Sequence, residues 1–383
     1  MTSILPVLVD ATSLPPNKGG VARYIAGLLR GLTDLGVTVN VVVKPSDRAW
    51  LLDQAPGHHV LEAPPSVSSR PLRLLWEQIG LPILARRLRV DVIHSPHYTF
   101  PFFARRKVVV TVHDATFFSA PHDHAASKRI FFSTWIRLGR RWAAASIAPS
   151  AATASEMTTW AGRARGPVSV AHHGVDPSVF RQPLDTEVAS FAAAHGLSTE
   201  VGWLAFLGTV EPRKSVPALV EAHRRLSAAD ASTPPLLVAG GLGWDEDARR
   251  LLEAAGDEPG SALRYVGYLP LAELPSYLGG ATIVVYPSTG EGFGLPVLEG
   301  MSSGATVLTT RRLALPEVGG DAVSYCEPDV DGIEGGLREL LADAGRRRRL
   351  AAAALTRSSG FTWEACAVVH RRSWATTAGR PSV

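Results

Sequence analysis

Pro287-Ser288-Thr289-Gly290-Glu291-Gly292-Phe293-Gly294-Leu295-Pro296-Val297-Leu298-Glu299-Gly300-Met301 decides how this chain is read. The apolar run 283–286 just before it predicts a buried strand, and Pro296 suits the first turn of a helix whose apolar spacing follows. The glycine-rich loop therefore joins a strand to a helix. Such a junction points backbone N–H groups and the positive end of a helix dipole outward, which suits an anionic ligand. Glu291 stands in the loop and Glu299 about one turn into the helix. That spacing lets one carboxylate meet the reacting end of an elongated ligand while the other meets a more distant part. A nucleotide diphosphate sugar has this layout: hexose, diphosphate, ribose.

The surrounding chain supplies the frame. Its 383 residues exceed one typical domain, and 46% hydrophobic with 19% charged residues describe a soluble globular protein with a large core. The stretch 1–10 holds one short apolar run with no basic leader, which reads as neither a signal peptide nor a membrane span. Cys326 and Cys366 are the only cysteines, too few for a disulfide framework or a cysteine zinc site, so a reducing cytoplasm is the expected compartment.

Short β-rich runs alternate with helical patterns, as in parallel sheets covered by helices. Strands are predicted at 4–9, 37–43, 90–94, 108–112, 146–148 and 168–170, with helices at 21–35, 71–88 and 125–144. A second series of strands falls at 203–207, 236–239, 263–266, 283–286, 306–308 and 323–325. The fold class is α/β: two doubly wound parallel-sheet domains, 1–174 and 175–360, followed by a helical segment within 361–383. Open parallel sheets bind ligands at the carboxyl ends of their strands.

Three further stretches place reactive groups at such ends. Asn17-Lys18-Gly19-Gly20-Val21 opens a helix after the first strand, and its glycines allow a ligand close to backbone N–H groups. His113-Asp114 ends the strand 108–112. Gly208-Thr209-Val210-Glu211-Pro212-Arg213-Lys214-Ser215 follows the first strand of the second domain, and its adjacent cations, before a helix starting near Ser215, suit a diphosphate. The remaining histidine pairs lack zinc-type spacing, so no metal site is expected.

Two acids with seven residues between them across a Gly-Phe-Gly turn, together with these stretches in this order, resemble the retaining nucleotide-sugar-dependent glycosyltransferases of group 1, family 4. The resemblance covers nearly the whole chain. It implies the GT-B architecture: facing Rossmann-like domains with an interdomain cleft, 1–174 binding the acceptor, 175–360 the nucleotide sugar, and a helix in 361–383 crossing back to the first domain. It further implies Glu291 beside the donor sugar, Glu299 on the ribose, and Arg213 with Lys214 on the diphosphate, where fixed cations replace a divalent metal. Gly292, Phe293, Gly294 and Leu295 would meet sugar hydroxyls and phosphate through their backbone. Gly19 and Gly20 would border the phosphates and the acceptor, His113 the transferred sugar, and Tyr265 and Val266 the nucleobase.

The resemblance implies attack on the same face as departure, with the leaving phosphate helping to deprotonate the acceptor, so no side chain is assigned as a certain base. The resemblance also implies no cofactor, the nucleotide sugar being a substrate. Two positions depart from the pattern: Thr209 stands where many relatives have arginine, and Gly300 where alanine is usual. Glycine inside a helix costs ~1 kcal/mol, which loosens that turn. The runs Glu211-Pro212-Arg213-Lys214 and His94-Ser95-Pro96-His97-Tyr98 look most like mannosyltransferases of cell-surface polysaccharide pathways, so GDP-mannose is the favoured donor. UDP-hexoses and dTDP-rhamnose stay open.

Charge separates the halves: residues 1–180 carry 20 basic and 11 acidic groups, residues 181–383 carry 19 and 24. Arg70, Arg73, Arg86, Arg87, Arg89, Arg105, Arg106, Lys107, Arg137, Arg140 and Arg141 interleave with aromatic residues in the first half. That surface suits peripheral contact with an anionic membrane on its inner face, or a glycan or lipid-linked acceptor bearing charge. An arginine-rich composition, 34 of 39 basic residues, is the plain alternative. No nucleic-acid-binding motif accompanies the charge. Dehydrogenase and P-loop kinase readings lack Gly-x-Gly-x-x-Gly and Gly-Lys-Ser/Thr. A hydrolase or epimerase on the same fold, or a silent sugar-binding subunit, would share the fold without the transfer.

Overall fold

A computed structural model of the chain describes residues 3–380; nothing is described of the side chains of Ser3, Ile4 and Arg106. Met1 and Thr2 of the N-terminal stretch and residues 381–383 of the C-terminal segment lie outside the described residues. The chain divides into two compact units, one running to Gly174 and taking in the segment from Phe361 onward, the other Val175–Gly360.

In the first unit β1 (Ser3–Asp10), β2 (Val37–Val43), β3 (His59–Glu62), β4 (Val92–Ser95), β5 (Val108–Thr111), β6 (Ala145–Ala148) and β7 (Val168–Val170) form a parallel sheet of order β3-β2-β1-β4-β5-β6-β7. In the second, β8 (Leu204–Leu207), β9 (Leu236–Ala239), β10 (Leu263–Gly267), β11 (Ile283–Tyr286), β12 (Val307–Thr310) and β13 (Ser324–Cys326) form a parallel sheet of order β10-β9-β8-β11-β12-β13. Each of β5, β9 and β11 opens with three consecutive valines, isoleucines or leucines and is buried along its whole length, as strands covered on both faces require. Strand order reverses between β1 and β4 in one sheet and between β8 and β11 in the other, and loops leaving such neighbours in opposite directions open a crevice at their carboxyl ends.

β3 carries no apolar run, because this edge strand is half exposed and satisfies backbone pairing without burying side chains, so hydrophobic pattern does not find it. Predicted helix bounds shift by a residue or more: the helices are Arg70–Arg87, Ala126–Trp142 and Trp363–Ala378. The helix expected to start near Ser215 begins at Val216, with Ser215 in the left-handed region at φ 51°.

The helix Trp363–Ala378 packs on the helix Gly20–Asp34 within the first unit. Gly27 allows the approach, since a Cβ there would sit 2.1 Å from the Trp363 ring. Between them a buried polar knot closes the core. The Tyr24 hydroxyl lies 2.8 Å from His370 Nε2, 2.8 Å from Thr111 Oγ1 and 3.1 Å from His94 Nε2. His370 Nδ1 donates to the Cys366 carbonyl at 2.8 Å, so its Nε2 accepts from Tyr24. Among the described residues no helix is long and apolar enough to cross a membrane.

Candidate active site

The loops leaving β8 and β11, the switch-point neighbours of the second sheet, are stitched to each other. Thr289 N–H donates to the Arg213 carbonyl at 2.7 Å, and Ser288 Oγ lies 3.0 Å from the same oxygen. Gly294 begins the helix Leu295–Ser302 at φ 100°, where a Cβ would meet Leu315 Cδ2 at 2.8 Å. Only glycine takes both the left-handed backbone and the close wall. Pro296 then stands in the first helical turn.

This stitching gathers charge on one oxygen. Glu291 Oε1 is 2.5 Å from Arg213 Nη1, accepts from the Tyr286 hydroxyl at 2.9 Å, lies 2.8 Å from Ser288 Oγ and pairs with Lys214 Nζ. Lys214 also donates to the Tyr286 hydroxyl and stands 4.5 Å from the centre of its ring. Arg213 Nε donates to Glu211 at 2.8 Å and its Nη1 to the Gly290 carbonyl at 2.9 Å. Burial alone would raise the Glu291 carboxyl, but Arg213 and Lys214 outweigh it and hold the group well below the usual carboxylate range. Burial, with Arg213 next to it, lowers Lys214, an effect Glu291 opposes. Tyr286 is pushed up by burial and by the Glu291 charge, so it stays a neutral donor. The result is an array in which Arg213 and Lys214 converge on Glu291 while Arg213 also pairs with Glu211.

Glu299 is buried on the helix Leu295–Ser302, and Phe293 is buried in the loop between the two acids. Thr209 follows β8, and its methyl lies 3.1 Å from where a Cβ of Gly243 would be. Tyr265 and Val266 lie on β10, at the far edge of the sheet, with the Tyr265 hydroxyl bonded to the Gly240 carbonyl at 2.8 Å. A Gly300 Cβ would lie 3.4 Å from Val307 and 3.5 Å from Val284, ordinary packing distances.

Gly19, Gly20 and His113 belong to the first unit. Gly19 caps the helix Gly20–Asp34, its carbonyl accepting from Ala22 and Arg23. Lys18, at φ 49°, anchors the loop through Asp47 at 2.5 Å. His113 Nε2 donates to the Pro96 carbonyl at 2.7 Å, leaving Nδ1 as the acceptor. Burial lowers His113 to about 4, against the opposing pull of that carbonyl and of Asp114, so the ring is neutral at pH 7. Asp114 caps the following turn, accepting from Thr116 N–H at 2.6 Å.

Sequence reasoning missed Tyr286 and Ser288, which hold Glu291, and the histidines around Tyr24. Tyr286 ends a buried strand immediately before the loop, and that polar strand end was the available signal. Nothing local ties Tyr24 to His370, 346 residues away. Among the described residues, no group of three His, Cys, Asp or Glu side chains is arranged as a metal site.

Two doubly wound parallel-sheet units with these switch-point loops define the GT-B class of fold. The Anabaena protein HepE, solved in complex with UDP-glucose, superposes with a TM-score of 0.75 over 97% of this chain and 99% of that one, at 17% identity. The models for Glycosyltransferase Family 4 and Glycosyl transferases group 1 match residues 18–179 and 189–357. The chain belongs to the group 1, family 4 glycosyltransferases. It is 39% identical over 166 residues to the Escherichia coli O-antigen chain mannosyltransferase B, a match covering 43% of each protein. It is 34% identical over 160 residues to the E. coli serotype-specific mannosyltransferase WbdA, covering 41% of this chain and 20% of that one. The aligned part thus spans less than half the length of either relative.

Proposed function

We propose that this protein is a retaining hexosyltransferase that moves mannose from GDP-mannose to a glycan or lipid-linked acceptor in cell-surface polysaccharide synthesis. The observation that carries the reading is the convergence of Arg213 and Lys214 on Glu291 at the switch point of the second sheet. Similarity to two mannosyltransferases supports the choice of sugar. In the reaction the bond from the sugar C1 to the diphosphate oxygen breaks and a bond from C1 to the acceptor oxygen forms. The acceptor proton passes to the departing phosphate.

Negative charge grows on that phosphate, so two cations fixed beforehand stabilise the transition state more than the ground state. Glu291 has two roles in this reading. It keeps the cations from drifting into solvent, and it presents its carboxylate beside the sugar. Glu299 holds the ribose, Gly292 to Leu295 meet sugar and phosphate, and Thr209, Tyr265 and Val266 line the nucleotide. In the first unit Gly19, Gly20 and neutral His113 serve the reacting face, with His113 Nδ1 accepting from a sugar hydroxyl. No metal takes part. We place the enzyme in the cytoplasm with its basic first unit resting on the inner face of the membrane.

A second reading keeps the chemistry and changes the donor to a UDP-hexose, favoured by the likeness to HepE, solved with UDP-glucose. Incubating the enzyme and a chelator with either donor and mannosyl acceptors, then assigning the product anomer by NMR, tests both. An α-linked mannoside from GDP-mannose supports the proposal. A β-linked product overturns retention, a glucoside from UDP-glucose alone overturns the donor, and free sugar without transfer overturns the transferase reading.

A further inference from the structure

A second cluster of cations lies in the first unit, at the opposite edge of the sheet from His113. A cavity of 680 Å³ opens where the helix Arg70–Arg87 ends and β4 and β5 begin, lined by Arg86, Arg89, Arg105 and Lys107 over Pro82, Ala85, Val90, Ile93 and Phe103. Because β4 and β5 start here, this is the amino edge of the sheet, a full strand away from the carboxyl edge where ligands of such sheets bind.

Its electrostatics are one-sided. Among the described residues Arg86, Arg89, Arg105 and Lys107 have no ion-pair partner. The sole acid of the lining, Asp91, is bound to Arg380 at 2.6 Å. Arg105 is also preorganised. Its guanidinium lies 5.2 Å from the ring centres of both Phe102 and Trp142, and its buried Nε has no hydrogen-bond partner among the described residues. A buried donor left without an acceptor is costly unless a ligand supplies one. In the second unit the exposed arginines Arg181, Arg225, Arg249, Arg312 and Arg338 each pair with a carboxylate, while Arg311 lies over the Tyr325 ring and Arg348 donates to the Ala344 carbonyl.

The helix leading to the cavity has an unusual outer face. Leu72, Leu75, Ile79 and Ile83, spaced by three and four residues, are 44–55% exposed, and the stripe runs on to Arg86; Phe103, at the cavity rim, is 80% exposed. The one acid on this helix, Glu77, is buried against Arg73. An apolar stripe ending in unpaired arginines complements an interface in which hydrocarbon and negative charge lie side by side.

We propose that this cavity binds the phosphate of an anionic phospholipid, with Phe103 and the Leu72–Ile83 stripe lying among the acyl chains. The inference rests on the peripheral membrane contact proposed above and deepens it by naming a binding site. It is separate from the donor site, so occupancy of the two can be read independently.

The test uses the full chain and the variant Arg86→Glu/Arg89→Glu, both positions exposed. Sedimentation with phosphatidylcholine vesicles, with and without phosphatidylglycerol, is measured beside the melting shift produced by GDP. The wild type should sediment with the anionic vesicles alone, and the variant should bind them about tenfold or more weakly, with its GDP shift unchanged. Equal vesicle binding by the variant overturns the cavity assignment while leaving membrane contact standing. No vesicle binding by the wild type overturns both. Binding of glycerol 3-phosphate as tightly as short-chain phosphatidylglycerol makes the ligand a free phosphate and overturns the lipid. Self-association abolished by Ile79→Glu, without vesicle binding, makes the stripe a contact between copies and overturns the proposal.

Discussion

Arg213 Nη1 and Glu291 Oε1 stand 2.5 Å apart, joining the loop after β8 to the loop after β11 by an ion pair whose carboxylate is buried. Lys214 meets the same oxygen, so one carboxylate fixes two adjacent cations where the strand order reverses.

Replacing Glu291 by glutamine keeps the shape and removes the charge. Breaking a buried pair on one side costs about 3–5 kcal/mol; glutamine retains part of the hydrogen bonding, so a loss of roughly 2 kcal/mol is expected for Glu291→Gln and the larger figure for Glu291→Ala. Denaturant unfolding measures both. Transfer should fall about a hundredfold or more in the glutamine variant, as electrostatic groups at reacting centres do.

Tyr286→Phe separates the hydroxyl from the ring. The variant loses the 2.9 Å bond to Glu291 but keeps the ring 4.5 Å from Lys214. A cost of about 1 kcal/mol is expected, with a fall in kcat smaller than that of Glu291→Gln. A larger fall from Tyr286→Phe would mean that the hydroxyl itself touches the substrate.

Acid should act first on the other unit. His94, His173 and His370 are buried there and His97 and His113 half-buried; desolvation lowers each, helped by neighbouring imidazoles at all but His113, so that His97 falls to about 3, and His113 and His370 to about 4. A histidine near 6.5 when unfolded and lower when folded takes up its proton in the unfolded state first. Its contribution to stability is therefore complete above pH ~6.5 and is lost as pH falls toward the folded value. Glu291 has the same sign but starts at about pH 4.3, its unfolded value. Melting temperature should decline from pH 6.5 downward, and in Glu291→Gln the further decline below pH 4.3 should be shallower. A flat profile down to pH 5 would contradict the histidine account.

Two glycine-to-alanine changes should have opposite signs. Gly300→Ala places its methyl at 3.4 Å from Val307 and removes a helical glycine, so it should stabilise by about 1 kcal/mol. Gly27→Ala drives its methyl into Trp363 at 2.1 Å and should destabilise by about 1–3 kcal/mol. Thermal unfolding of both variants reads the difference.

The fold was legible wherever strands are buried on both faces, because β-branched runs such as those of β5 and β11 fix both element and sheet type. It was not legible at β3, whose half-exposed residues carry no period. Site residues were readable where local chemistry repeats itself: glycine where the loop needs φ 100° at Gly294, paired cations after a strand. What escaped was assembly at long range. Pattern could not show that Lys214 is buried against Tyr286, or that Tyr24 would hold a histidine from the end of the chain. Such contacts depend on which loops the sheet order makes neighbours.

Thermal unfolding with GDP, UDP, dTDP and ADP at equal concentration, chelator present, in the wild type and in Arg213→Ala, tests the central claim most directly. A ligand at a hundredfold excess over its dissociation constant stabilises the native state by about 2.7 kcal/mol. GDP is predicted to raise the wild-type melting temperature above the other three and to lose most of that shift in Arg213→Ala. A chain that none of the four stabilises, or an Arg213→Ala variant that GDP stabilises as much as the wild type, would contradict it.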